Sequence, residues 1–319
     1  MALIADVDGK HILFTWGLFG IQSRHSEDNR NGLIEQLHKL LSQSAGRVDR
    51  LQDASQPGII DKRGSTVFIA YWLSCQDYQS WRDGVFRTFW DSLPDDAGVW
   101  REIMTVPKSR YEYSSTAPPA LGFASLVGLT PTTDVGYWGV HRHRMAQQQD
   151  KYTYPGDTFT SPYTSKVTDP RKLVDLEKEY PDVVHKGRLA VTKIPDNLCF
   201  IREYQAQPNL PKEELDLWSE TLGPYFEAWV KHLRQARNKN GTVSFSTYLS
   251  TESDPKFGPI PRPQSNQLMY FLDLEAFELS GRASKDHVKM RNATMEAYGP
   301  GGKLFGLGKL HLVVEIIGG

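Results

Sequence analysis

The sequence predicts an α+β fold: antiparallel sheets of the ferredoxin-like kind, flanked by helices and laid down twice along the chain. Three observations carry this. Short segments rich in β-branched and aromatic residues recur through the 319 residues, and segments with an apolar residue every three to four positions separate them. The order of the two kinds is similar before and after a stretch rich in Pro, Gly, Ser and Thr. No residue-level repeat accompanies the recurrence, so the pseudo-duplication is one of element order.

Lys10 to Gln22 (KHILFTWGLFGIQ) reads as a buried strand. NRNGLIEQLHKLLSQSAG follows with Leu33, Ile34, Leu37, Leu40 and Leu41 at helical spacing, and Gly46 ends it. Ser65 to Ser74 (STVFIAYWLS) is a second strand, DYQSWRDGVFRTFWDSL gives one or two short helices, and GVWREIMTVPKSRYEYSS returns to strand. After the central stretch, Asn197 to Gln205 is a strand. Lys212 to Gly241 is a long amphipathic helix with an apolar stripe through Leu215, Trp218, Leu222, Phe226, Trp229, Val230 and Leu233. TVSFSTYLS and NQLMYFLDLEAFELSG add two strands with a helical turn after the second, and GKLHLVVEII closes the unit. The chain therefore reads as one domain over 1–319, in two halves at about 10–145 and 187–317 joined by an extended connection over 146–186.

One helix has well-marked ends. Ser284 is its N-cap and Asp286 puts negative charge in the first turn, while Gly299 and Pro300 stop it, which predicts a helix from Lys285 to Tyr298. At 3.6 residues per turn His287, Arg291, Met295 and Tyr298 share an inward stripe with Val288 beside it. Spacing alone leaves His287 open between a hydrogen-bonded core histidine, a metal ligand and an acid–base group.

Thirty-seven Lys and Arg against 38 Asp and Glu give a net charge of −1, with no basic run, so nucleic acid is excluded as a partner. Cys75 and Cys199 lie outside any C-x-x-C pattern and give neither a disulfide framework nor a zinc site. No run of 18 apolar residues occurs and the N-terminus lacks an apolar signal core, so the expectation is a cytoplasmic protein with no membrane partner.

Four further stretches hold chemistry-bearing residues. VGYWGVHRHRM (Val135 to Met145) reads as an alternating strand, with Trp138, Val140, Arg142 and Arg144 on one face and His141 and His143 on the other. PDNLCFIRE ends an apolar strand with Arg202 and Glu203 adjacent, so one of the two faces inward. SLPDDAGVWRE is a turn or cap sequence around Asp95 and Asp96. His311 alternates with Leu310 and Leu312 and reads as a surface histidine. No H-E-x-x-H, Walker, G-x-G-x-x-G or G-x-S-x-G context is present.

Together, FGIQSRHSE, SLPDDAGVWRE, GYWGVHRHRM, GDTFTSP, PDNLCFIRE and DHVKMRNATMEAYGPGG, in this order over some 300 residues, resemble the haem-containing aldoxime dehydratases, especially the fungal members. The resemblance implies a dimeric α/β-barrel type of fold with a haem pocket between sheet and helices. It also implies a b-type haem, ferrous in the active form, with His287 as its proximal ligand and Arg291 and Val314 beside it. The implied activity is lyase chemistry on a small-molecule aldoxime, R–CH=N–OH to nitrile and water, by a monomer or homodimer. Arg144 matches the family's distal arginine, which holds the oxime oxygen or keeps a neighbouring acid in place. Bacterial members carry a serine where this chain has Glu203 and a histidine where it has Val314, and relatives run on past EIIGG, which leaves the distal side more open here. The readings that stand beside this one are a relative acting on another N–O substrate, to form an N–N bond or a nitrogen-containing ring, and a non-catalytic haem-binding protein.

Overall fold

The computed structural model describes residues 2–8, 11, 13–22, 27–56, 59–61, 64–147, 175–178, 187–192, 194–206, 210–251 and 264–318. The GDTFTSP stretch, Ser23 to Ser26 of FGIQSRHSE and most of the 146–186 connection lie outside the described residues.

Two βαββαβ units build one continuous sheet. In the first, β2 (Leu13–Ile21), α1 (Glu27–Ser42), β3 (Arg47–Gln56), β5 (Thr66–Trp72), α2 (Cys75–Trp81), α3 (Arg87–Ser92) and β6 (Val99–Pro107) run in chain order, and the strands lie β6-β2-β5-β3. In the second, β9 (Cys199–Ala206) is followed by α6 (Lys212–Leu217) and α7 (Gly223–Gln235), one further turn α8 (Arg237–Asn240), then β10 (Thr242–Ser250) and β11 (Ser265–Phe271). After these, α9 (Leu274–Ala283), α10 (Lys285–Tyr298) and β12 (His311–Gly318) complete the unit, and the order is β12-β9-β11-β10. Both units have the antiparallel ferredoxin-like order, and β3 pairs with β10 to join them. Beyond β12 lie β7 (Tyr111–Ser115), β1 (Ala2–Ala5) and β8 (Leu129–Thr132), while the short β4 (Ile59–Ile60) pairs with β3. Two small helices, α4 (Ala124–Val127) and α5 (Val140–Gln147), flank β8.

The sheet curls on itself. Phe14 of β2 stacks on Phe123 at 4.0 Å between ring centroids and meets Tyr111 of β7 edge-on at 5.3 Å, although these strands sit near opposite ends of the strand order. The enclosed face holds a core drawn from almost every long strand, including Phe14, Trp16, Leu51, Ile69, Tyr111, Phe200, Leu268 and Val313. The outer face is covered in two patches. Helices α1 to α3 pack Ile34, Leu37, Trp81 and Phe86 on Phe19, Phe68 and Trp72. Helix α7 packs Trp229 and Leu233, with Met145 of α5, on Ile201, Met269, Phe271 and Ile316.

The structure departs from the sequence expectations at several places, among them Met295, which is 42 % exposed rather than inward. Strand β3 was absent from them because it is charged: Arg47 and Asp49 point into the enclosed core, where Asp49 bonds Arg47 at 2.6 Å and Arg202 at 2.5 Å. GVWREIMTVPKSRYEYSS makes two strands, β6 and β7, separated by a 3₁₀ turn at Lys108–Arg110. The long helix runs from Lys212 to Gln235 through a wider π turn at Trp218–Leu222 and breaks at Ala236. The histidine-rich VHRHRMAQ segment is helix α5 rather than a strand; Gly139, at φ +86°, turns the chain into it. His311 is buried, not at the surface, because β12 is covered on both faces: its Nε2 lies 2.8 Å from Ser115 Oγ in the enclosed core, and burial pulls its pKa down to about 4.

Candidate active site

Helix α10 has the bounds its caps predict. The Ser284 side chain accepts a hydrogen bond from the His287 backbone N–H at 3.3 Å, and the helix ends at Tyr298. His287 Nδ1 lies 3.0 Å from the Gly281 carbonyl, so Nδ1 carries the hydrogen and donates, leaving the Nε2 lone pair unused. The ring packs 4.6 Å from that of Trp229 and 5.9 Å from that of Trp138. Burial among these rings lowers the imidazole pKa, which outweighs the opposing hydrogen bond donated to the Gly281 carbonyl, and Arg291 one turn on adds to the lowering. Arg291 itself donates to the Gly136 carbonyl and lies over the Trp138 ring at 5.0 Å. The result is a neutral imidazole, held by a second hydrogen bond, on the side of the sheet covered by α7.

On that side, strand register sets out a row of side chains. Gln267 of β11, Glu203 of β9, Val314 of β12 and Ser114 of β7 are successive cross-strand partners and point to the outer face. Arg202, one residue earlier, points the other way into the enclosed core, where it bonds Asp49, Tyr71 and Asn266. The adjacent pair thus divides between two environments, and both are interior.

Glu203 is partly buried. Its carboxyl makes no hydrogen bond among the described residues. Burial pushes its pKa up to about 7, and the field of His141 opposes the rise without cancelling it. Beside it, Gln267 is 1 % exposed and its Oε1 is buried with no partner, while its Nε2 donates to Ser265. A buried amide oxygen without a partner is expensive in an apolar wall, and a ligand satisfies such a group.

The wall around them is Ile201, Met269, Phe271, Ile316 and Val314, with Phe226, Phe245 and Phe277 partly buried against it. His287, whose Nε2 lone pair is free among the described residues, is a donor suited to one axial bond of a large flat apolar cofactor, and Trp229, which packs on its ring, belongs to the same apolar cluster as Ile201 and Met269.

The helical form of VHRHRMAQ brings together what a strand would have separated. His141 and Arg144 are three apart and so share a face of α5. Both reach Glu112 of β7: His141 Nδ1 lies 2.9 Å from Oε2, and Arg144 Nη1 donates to Oε1 at 2.7 Å. Arg144 is 4 % exposed, and its Nε and Nη2 both donate to the Asp134 carbonyl. The guanidinium is therefore committed to Glu112 and the backbone, and it does not pair with Glu203. Burial alone would raise the Glu112 pKa, but His141 and Arg144 together hold the carboxyl below the ordinary range. Sequence reasoning missed Glu112, since a glutamate in YEYSS looks like the outward half of an alternating strand.

The sequence matches, over residues 17–317, the family described as haem-containing dehydratase. The chain belongs to that family. It is a lyase, and haem is its cofactor. A crystal structure of aldoxime dehydratase superposes with a TM-score of 0.71 at 17 % identity, covering 99 % of this chain and 84 % of that one. Aldoxime dehydratase OxdRE in complex with butyraldoxime gives 0.69 at 17 % identity, covering 99 % and 82 %. No curated protein sequence matches the chain. These likenesses show that the α+β, ferredoxin-like architecture is that of the aldoxime dehydratase structures. No helix among the described residues is long and apolar enough to cross a membrane.

Proposed function

We propose that this haem-containing dehydratase removes water from an aldoxime to give a nitrile, with b-type haem held by His287. Support for the ligand is the state of its ring: neutral, turned by the Gly281 carbonyl so that Nε2 has the free lone pair, and wedged between Trp138 and Trp229. Arg291 and Val314 would lie at the cofactor's margins, one from the histidine's own helix and one from the facing strand. Ferrous haem, when bound, would supply an electron-rich Lewis acid for the oxime nitrogen.

The observation that carries the reading is Glu203. A carboxyl whose pKa is about 7 is part protonated at neutral pH, so it can give a proton to the departing hydroxyl, which leaves as water. Gln267 Oε1 beside it is an acceptor for the oxime hydroxyl hydrogen and orients that group toward Glu203. The apolar wall keeps bulk water from the ionising groups and takes the substrate's side chain. Arg144, fixed on Glu112 and the Asp134 carbonyl, acts as a positioning residue that keeps a neighbouring acid in place.

The test is direct. Haem-loaded chain is reduced with dithionite without oxygen and given phenylacetaldoxime; a shift of the Soret band on addition, followed by phenylacetonitrile and water as products, supports the reading. A Soret band that phenylacetaldoxime leaves unmoved, with no nitrile formed, would overturn it.

A further inference from the structure

The dehydration moves two protons, and Glu203 alone has to give one and take the other. Val314 stands across from Glu203 on β12 and has no proton to offer, so a second group must come from another element. We propose that His141 is that group: the base that removes the carbon-bound proton of the oxime and returns it to Glu203, with Glu112 as the residue that positions it. The proposal rests on the aldoxime reading above and deepens it.

Geometry carries the argument. Glu112 is buried at 1 % exposure, and it is bonded on one oxygen by Arg144 and faced on the other by His141 Nδ1 at 2.9 Å. A carboxylate in that place accepts from Nδ1–H, which fixes the tautomer and leaves the lone pair on Nε2. Among the described residues Nε2 makes no hydrogen bond. A carboxylate behind an imidazole whose other nitrogen is free is the arrangement by which proteins orient a histidine base. Arg144 keeps Glu112 ionised and stationary, so the carboxylate does not take the proton for itself.

His141 also lies on the right side of the sheet. Glu112 and Glu203 point to the same outer face, since Ile316 pairs with Glu112 and Val314 with Glu203 two residues back along β12. The field of His141 acts on the Glu203 carboxyl. Its ring packs 5.9 Å from Phe277, which belongs to the same apolar wall. Among the described residues the carboxylate bonded to His141 is Glu112 from β7, and Glu203 from β9 lies on the same face of the sheet. On its own helix, Arg144 is bonded to Glu112, and Arg142 is turned away to Glu278 of α9 at 3.2 Å.

The balance closes without any outside reagent. Protonated Glu203 gives its proton to the oxime oxygen, the N–O bond breaks with its electron pair leaving on water, and His141 Nε2 takes the proton from carbon. The C–H pair becomes the third C–N bond. Imidazolium then hands its proton to the Glu203 carboxylate, and both groups are restored.

The experiment has two arms on the haem-loaded protein. In the diamagnetic ferrous carbonyl form, ¹⁵N-histidine NMR, with the His141 signals identified by their loss in His141→Gln, reads the tautomer; Nδ1–H in the wild type and a mixed population in Glu112→Gln are expected. An Nε2–H tautomer in the wild type overturns the proposal. In turnover of phenylacetaldoxime, His141→Gln keeps haem content and the aldoxime-induced Soret shift but loses about 10²- to 10⁴-fold in rate, while the fall in rate at high pH set by Glu203 stays. A His141→Gln protein with the wild-type rate and profile overturns the relay while leaving dehydration standing. If the wild type forms no nitrile, the dehydration reading falls instead, and the tautomer alone decides whether Glu112 presents His141 as a base.

Discussion

Glu203→Gln separates a functional carboxyl from a structural one through stability rather than rate. In the folded chain the Glu203 pKa rises from 4.5 to about 7, and burial is the cause. At about 1.4 kcal/mol for each tenfold in an ionisation constant, that rise is worth about 3 kcal/mol. The folded state binds this proton more tightly than the unfolded state. The stabilisation is therefore complete below about pH 4.5 and is lost as pH rises through about 7. Glutamine keeps the shape and cannot ionise, so the variant lacks this loss. Urea unfolding followed by circular dichroism from pH 6 to pH 9 should show the wild type losing about 1 to 1.5 kcal/mol more than Glu203→Gln, which is the share of the linkage that falls in this window. Glu315, whose pKa burial also pushes up to about 7, contributes a similar slope to both proteins and drops out of the difference. Parallel stability–pH curves for the two proteins would refute the reasoning, because they would mean that the Glu203 carboxyl is as well solvated folded as unfolded.

The remaining predictions concern the ligand, the iron and the core. His287→Ala should lose most of its haem, or keep a haem whose Soret band is restored by added imidazole; an unchanged band and haem affinity would remove His287 as the ligand. On the proposed mechanism, in which ferrous iron would donate into the oxime nitrogen, turnover should need a reductant although none is consumed; equal rates in air-oxidised and dithionite-reduced protein would count against that. Asp49→Asn leaves Arg202 in the enclosed core without its 2.5 Å carboxylate partner and should cost about 3 to 5 kcal/mol in urea unfolding, whereas a loss under 1 kcal/mol would show that Tyr71, Asn266 and Glu315 suffice.

Much of the fold could be read from the chain because local signals and tertiary structure agree there. Ser284, Gly299 and Pro300 give the helix that carries His287 its ends, and the apolar runs of β2, β5 and β9 are buried strands as their composition predicts. Reading failed where a polar residue faces the interior. Arg47 and Asp49 make β3 look like a loop, yet Asp49 pairs both with Arg47 beside it and with Arg202 across the enclosed core, a partner more than 150 positions away. His311 looks exposed because alternation assigns one face of a strand to solvent, and β12 has no solvent face. The pattern rule assumes a one-sided sheet, and this sheet is covered on both sides.

The same cause hid half of the candidate site. Glu112 and His141 carry no motif, because neither is near the other in sequence and the residues between them alternate or repeat in ways that suit a strand. What assembles them is the turn of α5 at Gly139, which swings His141 and Arg144 onto one side of a helix lying against β7. The donors of Arg144 are spent on Glu112 and the Asp134 carbonyl, so on the proposed reading its effect on substrate passes through the groups it holds. On the proposed relay Val314 offers no proton across from Glu203, and the histidine that Glu112 orients on α5 supplies the second group from another element. On this argument Val314 and His141 depend on each other, so placing a histidine at 314 should restore turnover to His141→Gln, and failure to do so would separate them.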